Sequence, residues 1–318
     1  MVNTEKQPVV QINTKVSFDN KLIKDIKKNP YIYVMLLPVL LFYILFHYKP
    51  MYGAIIAFKD FTPTLGVMDS PWVGFRHFQD FFGSYNFFRV VKNTVLISFY
   101  EIIFGFPAPI IIALLLNEVK NTFFKRTVQT VTYLPHFISL VVVCGMIKDF
   151  TSSEGVINDI IVFFGGERVT MLLKPEYFRT IFVASGIWQN VGWKTIIFLA
   201  ALSAIDAEMY EAAKIDGAGR WKQLVHITLP GIMPTIIILL ILRLGQVMNV
   251  GFEKVILLYN PTTYETADVI SSLVYRKGLQ DFSYSFSAAV GLFNSVINFM
   301  LVIASNKISK KLNDTSLW

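Results

Sequence analysis

An all-α polytopic membrane protein, a bundle of six membrane-crossing helices, is the fold this sequence predicts. Three observations predict it. Of the 318 residues, 54% are hydrophobic and only 16% charged, with a mean hydropathy of +0.52, too apolar for a soluble chain of this size. The apolar residues fall in blocks of about twenty, enough for a helix to cross a hydrocarbon core of about 30 Å. The alternating segments of about ten residues expected of a membrane β-barrel are not seen.

Residues 1–30 are polar, carry six lysines and have no cleavage-site pattern after an apolar core, so they read as an arm rather than a removable signal peptide. An interfacial helix is expected over Asn20–Lys28. The membrane domain is expected over 31–318, with span one at Tyr31–Phe46. A long connection follows, Tyr48–Phe88, rich in aromatics, Gly and Pro. Span two is Lys92–Leu116, followed by a short basic loop with Lys120, Lys125 and Arg126. Span three is Val131–Ile147 and span four Arg179–Ala204, joined through Thr151–Tyr177. A polar loop over 205–230 leads to span five, Gly231–Val250. The connection Gly251–Ser283 and span six, Tyr284–Ser305, precede a basic tail.

Charge sets the orientation. Fifteen Lys and Arg fall in the arm, the loop after span two, the 205–230 loop and the tail, against eight in the opposite, longer connections. The positive-inside rule then puts both termini and the 205–230 loop in the cytoplasm. The net charge of +7 is scattered through loops, which suits membrane topology better than nucleic acid. Cys144 is the one cysteine, so neither a disulfide framework nor a thiol-metal site is expected. His47, His77, His136 and His226 lie far apart and make no metal-ligand spacing. No G-x-x-x-x-G-K-[ST] run is present to hold ATP, and no Ser/His/Asp order stands out. An enzyme is not expected.

The 205–230 loop is longer than a turn between two spans requires. Asp206 is a plausible N-cap for a short helix through Lys214. Gly217 and Gly219 then interrupt it. A second short amphipathic piece, Arg220–His226, leads to Pro230, which suits the first turn of span five. The loop carries Glu211-Ala212-Ala213, three residues, Gly217, nine residues, Ile227, one residue, and Leu229-Pro230.

That spaced pattern resembles the EAA loop of ABC-importer permeases. The resemblance covers about 93–305 and implies the type I (MetI-like) permease fold of the sugar branch, whose members include the MalF-like permeases. Trp72-Val73-Gly74 and Phe78 are similar to a W-V-G-x-x-x-F element of sugar-type permeases. The segments from Asn29 to Phe61 and from Gly251 to Leu279 are similar to the LplB/YteP type, which serves importers of complex, often uronate-containing oligosaccharides in Gram-positive bacteria. The resemblance implies that Glu211 makes a polar contact with an ATPase subunit, that Ala212 and Ala213 sit in its cleft, and that Gly217 permits the turn. It further implies a second permease, two ATPase subunits holding ATP and Mg, and an extracellular solute-binding lipoprotein in a bacterial cell membrane.

Within the apolar blocks lie three charges, Glu101, Lys194 and Arg243. A charge at mid-bilayer costs about 2.5–3.5 kcal/mol on insertion scales, so such residues face a partner or a wet cavity. Span four adds Trp188, Gln189, Asn190 and Trp193. Gln189 with Trp193 and Asn190 with Lys194 are i,i+4 pairs, each on one face. Span five offers Arg243, Gln246 and Asn249 at intervals of three, and span six Asn294 and Asn298. These residues either line a translocation path for a polar solute, or neutralise one another and join helices; the sequence leaves both readings open. An ion-coupled secondary transporter working through Glu101 is the rival class, but such proteins commonly carry internal repeats, and none is found.

Overall fold

The structure, a computed structural model, describes residues 24–313, 316 and 317. Of the interfacial helix expected over 20–28, residues 24–28 are helical; the remainder lies outside the described residues. The chain divides into two compact units, Met1–Ile55 and Ile56–Trp318.

Helix α1, Pro30–Phe58, is continuous over 29 residues, longer than the span expected at 31–46. It starts on Pro30, whose fixed φ suits a first turn. In the second unit follow α2 (Arg76–Phe82) and α3 (Phe87–Glu118). The pair α4 (Thr122–Phe137) and α5 (Leu140–Phe150) is bent by 102°. Then come α6 (Val156–Phe163), α7 (Pro175–Ser203), α8 (Ala207–Ile215), α9 (Arg220–Leu244), α10 (Phe252–Leu258), α11 (Ile270–Tyr275) and α12 (Tyr284–Asn313).

By length and composition α1, α3, α9 and α12 can each cross a membrane, and the bent α4–α5 pair makes a fifth crossing. At 29 residues α7 is long enough to be the sixth. Its central Trp188-Gln189-Asn190 and Trp193-Lys194 keep it from standing out by apolarity. Span three, expected straight over 131–147, is the bent pair instead. Leu134–Phe137 tightens into a 3₁₀ turn at Pro135, and Ser139 then restarts the helix by capping Val142 N–H.

Three long helices share one device. A five-residue π-helical turn ends two residues before a proline: Ile44–Tyr48 before Pro50, Glu101–Gly105 before Pro107, Leu224–Thr228 before Pro230. In each case the residue preceding the proline donates five residues back, Lys49 to Ile44, Phe106 to Glu101 and Leu229 to Leu224. A proline inside an α-helix lacks its N–H and drives its ring into the carbonyl four residues back. The wider π turn relieves that clash, so the helix continues through the proline rather than breaking. Pro230 accordingly does not open a new helix, as the sequence suggests, but lies inside α9.

Three apolar clusters hold the second unit together. Ile97, Val143, Phe178, Phe182, Val250 and Val255 form one around α3, α5, α7 and α10. Phe81, Val90, Met248, Ile270, Leu273 and Val290 form another, joining α2, α3, α11 and α12. Ala113, Phe198, Leu202 and Ile232 form the third, between α3, α7 and α9. The segment after α9 is fastened by Asp268, fully buried. Its carboxylate meets Arg89 at 3.1 Å and Arg276 at 2.7 Å and accepts from Ser272 at 2.7 Å. Burial alone would lower the Arg276 pKa; its hydrogen bonds to Asp268 and Tyr259 outweigh that and hold it raised. Asn93 on α3 donates to the Asp268 and Glu265 carbonyls, each at 2.9 Å, and accepts from Arg179 on α7 at 2.8 Å. Near α2, Trp72 of the W-V-G element stacks on Phe58 at 5.7 Å, and Phe78 packs on the same ring at 5.4 Å.

Candidate functional site: a helical elbow and a polar cavity

The 205–230 loop folds as two helices with a sharp corner. Asp206 caps α8, its carboxylate accepting from Glu208 N–H at 3.0 Å. The helix ends one residue later than expected, at Ile215. Gly217 then takes φ +75°, the left-handed conformation that glycine adopts without steric penalty. Ala218 N–H reaches the Ala213 carbonyl at 2.8 Å and Gly217 N–H the Lys214 carbonyl at 3.1 Å. That pair of bonds is a Schellman cap. Gly219 has φ −67° and serves instead as the N-cap of α9.

From Gly219 the chain runs as one helix to Leu244, through the π turn that accommodates Pro230. Two contacts tie the corner to it. Gln223 Nε2 donates to the Ala218 carbonyl at 2.7 Å, and the Tyr210 and Thr228 hydroxyls meet at 2.9 Å. Glu211, Ala212 and Gly217 are exposed, Ala213, Ile227 and Leu229 half-buried, and Pro230 exposed. Exposed apolar side chains flank them, Ile215 at 87% and Trp221 at 75%.

At the other end of α9 lies a cavity of about 470 Å³ between α3, α7, α9 and α10. Glu101, the first residue of the α3 π turn, forms an ion pair there with Arg243, in the last turn of α9. Both side chains are about three-quarters buried. Gln189, Asn190 and Lys194 of α7 and Gln246 line the same space. Asn190 Oδ1 accepts from His136 Nδ1 at 3.1 Å, and its amide donates to the Gly186 carbonyl at 3.1 Å.

The structure does not bring all eleven expected path residues together. Trp188 lines a separate, apolar pocket of about 510 Å³ with Met146, Phe150 and Tyr177. Trp193, on the same helix as Gln189, stacks on His136 at 4.7 Å. The polar stripe expected on span five is interrupted, because α9 ends at Leu244, Gln246 falls in the turn beyond it and Asn249 in the irregular segment that follows. Asn249 accepts from Asn294 at 2.7 Å. Asn298, buried, accepts from Met248 N–H at 3.0 Å. These three amides join α12 to the end of α9 and do not line the cavity.

Lys254 is the cavity residue that sequence reasoning missed, counted only as a loop charge. It is 7% exposed. Its Nζ donates to the Phe182 carbonyl at 2.8 Å and lies 4.7 Å from the Phe182 ring centre. A Cβ on Gly186 would stand 3.3 Å from that Nζ, so glycine leaves room for the ammonium. A signal was present: Lys254 stands four residues before Leu258, on the apolar face of a short helix. Burial lowers its pKa to about 8, with a smaller opposing pull from Glu101. Among the described residues, no group of three or more His, Cys, Asp or Glu is placed to hold a metal ion.

A bundle of membrane-length helices around an open cavity that carries several charges, one wall of it continuous with an exposed helical elbow, suits a solute-translocating subunit. The chain belongs to the family described as binding-protein-dependent transport system inner membrane component, which matches residues 105–314. It is 46% identical to Protein LplB of Bacillus subtilis, over 92% of this chain and 92% of that protein. It is 45% identical to the polygalacturonan/rhamnogalacturonan transport system permease protein YteP of the same organism, over 93% and 92% of the two chains. Among solved structures it is similar to a chain of a bacterial alginate ABC transporter in complex with an alginate pentasaccharide-bound periplasmic protein. That match has a TM-score of 0.86 and 45% identity and covers 93% of this chain and 100% of the other. The chain is accordingly an ABC-transporter permease, a membrane protein that transports rather than catalyses.

Proposed function

We propose that this permease is one of two membrane subunits of an ATP-driven importer of oligosaccharides that carry uronate groups. The observation that carries the reading is the unbroken helix from Arg220 to Leu244. At about 1.5 Å per residue, it spans roughly 35 Å between the elbow and the Arg243–Glu101 pair. Two ATPase subunits, holding ATP and Mg, dock beneath, one per permease. Glu211 makes a polar contact with the ATPase, Ala212 and Ala213 fit its cleft, and Gly217 sets the corner, with Ile227, Leu229 and Pro230 joining the corner to α9. Both termini and the elbow face the cytoplasm of a bacterial cell. Closure of the ATPases draws the elbows together. The stiff joint then tilts α7 and α9 and opens the cavity to the outside, where a lipid-anchored binding protein delivers the sugar.

The uronate class is supported by the kinship with a polygalacturonan permease and an alginate transporter, since both polymers carry a carboxylate on each sugar. The rival reading, ion-coupled transport through Glu101, is weakened by the ion pair that Glu101 makes with Arg243. Uptake of labelled oligogalacturonate in cells carrying Glu211→Lys tests the proposal. Uptake is expected to vanish while the chain still inserts in the membrane. Normal uptake in that variant, or uptake persisting after ATP is depleted with the proton gradient maintained, would overturn it.

A further inference from the structure

Three cations line the cavity, Lys194, Arg243 and Lys254, with two carboxylates, Glu101 and Glu253. Arg243 and Glu101 are spent on each other. That leaves two ammonium groups against one carboxylate, Glu253, whose side chain is exposed. The two ammonium groups differ in surroundings, Lys194 being exposed and Lys254 buried. Lys194 makes no hydrogen bond and no ion pair among the described residues. Lys254 has a neutral carbonyl and an aromatic face and no ion pair, only the more distant pull of Glu101, and an ammonium has three N–H groups to place.

Their placement along α7 is regular. Gly186, Asn190 and Lys194 follow at i, i+4 and i+8 on one face of the helix, and all three line the cavity. The Lys254 ammonium lies against Gly186, 3.3 Å from where a Cβ would stand. The Asn190 amide sits one turn on and the Lys194 side chain a further turn. The first and last positions are eight residues apart, about 12 Å along the axis. The Arg243–Glu101 pair lines the same cavity. Lys254 is buried without an ion pair, which is costly, and Lys194 presents an exposed ammonium to the same cavity, so the cavity is suited to a ligand that brings the anions.

We propose that Lys254 and Lys194 are specificity-determining residues that bind two separate carboxylates of one acidic oligosaccharide lying along the Gly186–Asn190–Lys194 face of α7. This rests on the importer reading above and adds what that reading lacks, the groups that select the anionic substrate. Lys254 comes from the segment beyond α9 and Lys194 from α7, so a ligand held by both bridges two cavity walls. A carboxylate on Lys254 draws on the same ammonium that fastens α10 to the Phe182 carbonyl, which couples occupancy to the hold of that segment.

The test measures equilibrium binding to the transporter complex purified from host membranes into nanodiscs, without the binding protein. The ligands are trigalacturonate, trimannuronate and the carboxyl-reduced, neutral form of each. The wild type is expected to bind one or both acids about tenfold more tightly than the reduced forms, the scale of a charge-assisted hydrogen bond. Lys254→Gln and Lys194→Gln should each erase most of that ratio without weakening the neutral ligands. Lys254→Arg and Lys194→Arg should retain it. Gln keeps a donor for the Phe182 carbonyl, so loss of fold is separable by the neutral ligands, which bind unchanged to an intact cavity. Equal weakening of acidic and neutral ligands in the Gln variants would assign the lysines a structural role and overturn the proposal. So would a wild type that binds acidic and reduced forms alike or binds neither. ATP-dependent uptake in the same wild type would show that the importer reading survives such a failure, and its absence would show that both fall together.

Discussion

The hydroxyls of Tyr210 and Thr228 meet at 2.9 Å, joining the short helix of the elbow to the long helix that runs to the cavity. Thr228 Oγ1 also faces the Gln223 carbonyl at 3.3 Å, so it donates there and accepts from Tyr210. The contact braces the end of the π turn that accommodates Pro230. Replacing Tyr210 by Phe keeps the ring and removes the bond, about 1 kcal/mol. Uptake should fall severalfold while ATP hydrolysis by the complex falls less, a partial uncoupling read by measuring both in the same vesicles.

The corner at Gly217 is a sharper requirement. Its φ of +75° costs an L-residue about 1–2 kcal/mol, although a Cβ there would meet nothing within 4 Å. Gly217→Ala should therefore lower uptake only in part. Gly217→Pro, whose φ is fixed near −65°, should abolish it, with the chain's abundance in the membrane unchanged. Equal activity of the two variants would show that the left-handed turn is not what the position supplies.

The Arg243–Glu101 pair calls for a cycle of variants. Removing one partner leaves a mostly buried charge alone, a loss of about 3–5 kcal/mol in a dry site. Because the pair lines a cavity, the lower end is expected. Glu101→Gln and Arg243→Gln should each lower the midpoint of thermal unfolding of the solubilised complex. The double variant should lie above either single one. Additive losses would mean the two charges act separately.

Lys254 supplies a pH signature. Its folded pKa is about 8, below the ordinary 10.5, chiefly because it is buried. Between these values the unfolded chain binds the proton and the folded chain does not, so this group makes stability rise with pH across that window. Its ammonium is lost as pH climbs through about 8. Binding of an acidic oligosaccharide should weaken over the same range. Lys254→Arg, charged throughout, should flatten that profile, and a profile unchanged in this variant would locate the titration elsewhere.

Much of this was legible in the residues. The apolar blocks gave α1, α3, α7, α9 and α12, because burial in hydrocarbon imposes both length and composition, whereas α4 takes in Lys125 and Arg126 of the expected basic loop. The elbow was legible because capping and left-handed turns depend on neighbouring residues alone, as at Asp206 and Gly217. The prolines misled where they met tertiary structure. Pro230 reads as a helix start, yet a π turn carries the helix through it, and Pro135 bends span three where apolarity alone suggests a straight rod. The cavity was half legible. Asn190, Lys194 and Arg243 stood out as polar groups in apolar surroundings. Lys254 did not, because a lysine in a polar connection looks solvated until folding closes the segment over it. Trp188 and Asn298 looked equivalent to the cavity residues, and only packing separates them.

The central claim, that the elbow seats on an ATPase and drives the helix behind it, is tested most directly by capture from Ile215, which is 87% exposed. Cys144 is the single cysteine, so Cys144→Ala with Ile215→Cys gives one attachment point for a photo-crosslinker. In assembled transporter the account predicts capture of the ATPase subunit, diminished when nucleotide changes its closure. Capture of no ATPase, or labelling of that cysteine by an impermeant reagent added outside intact cells, would contradict it.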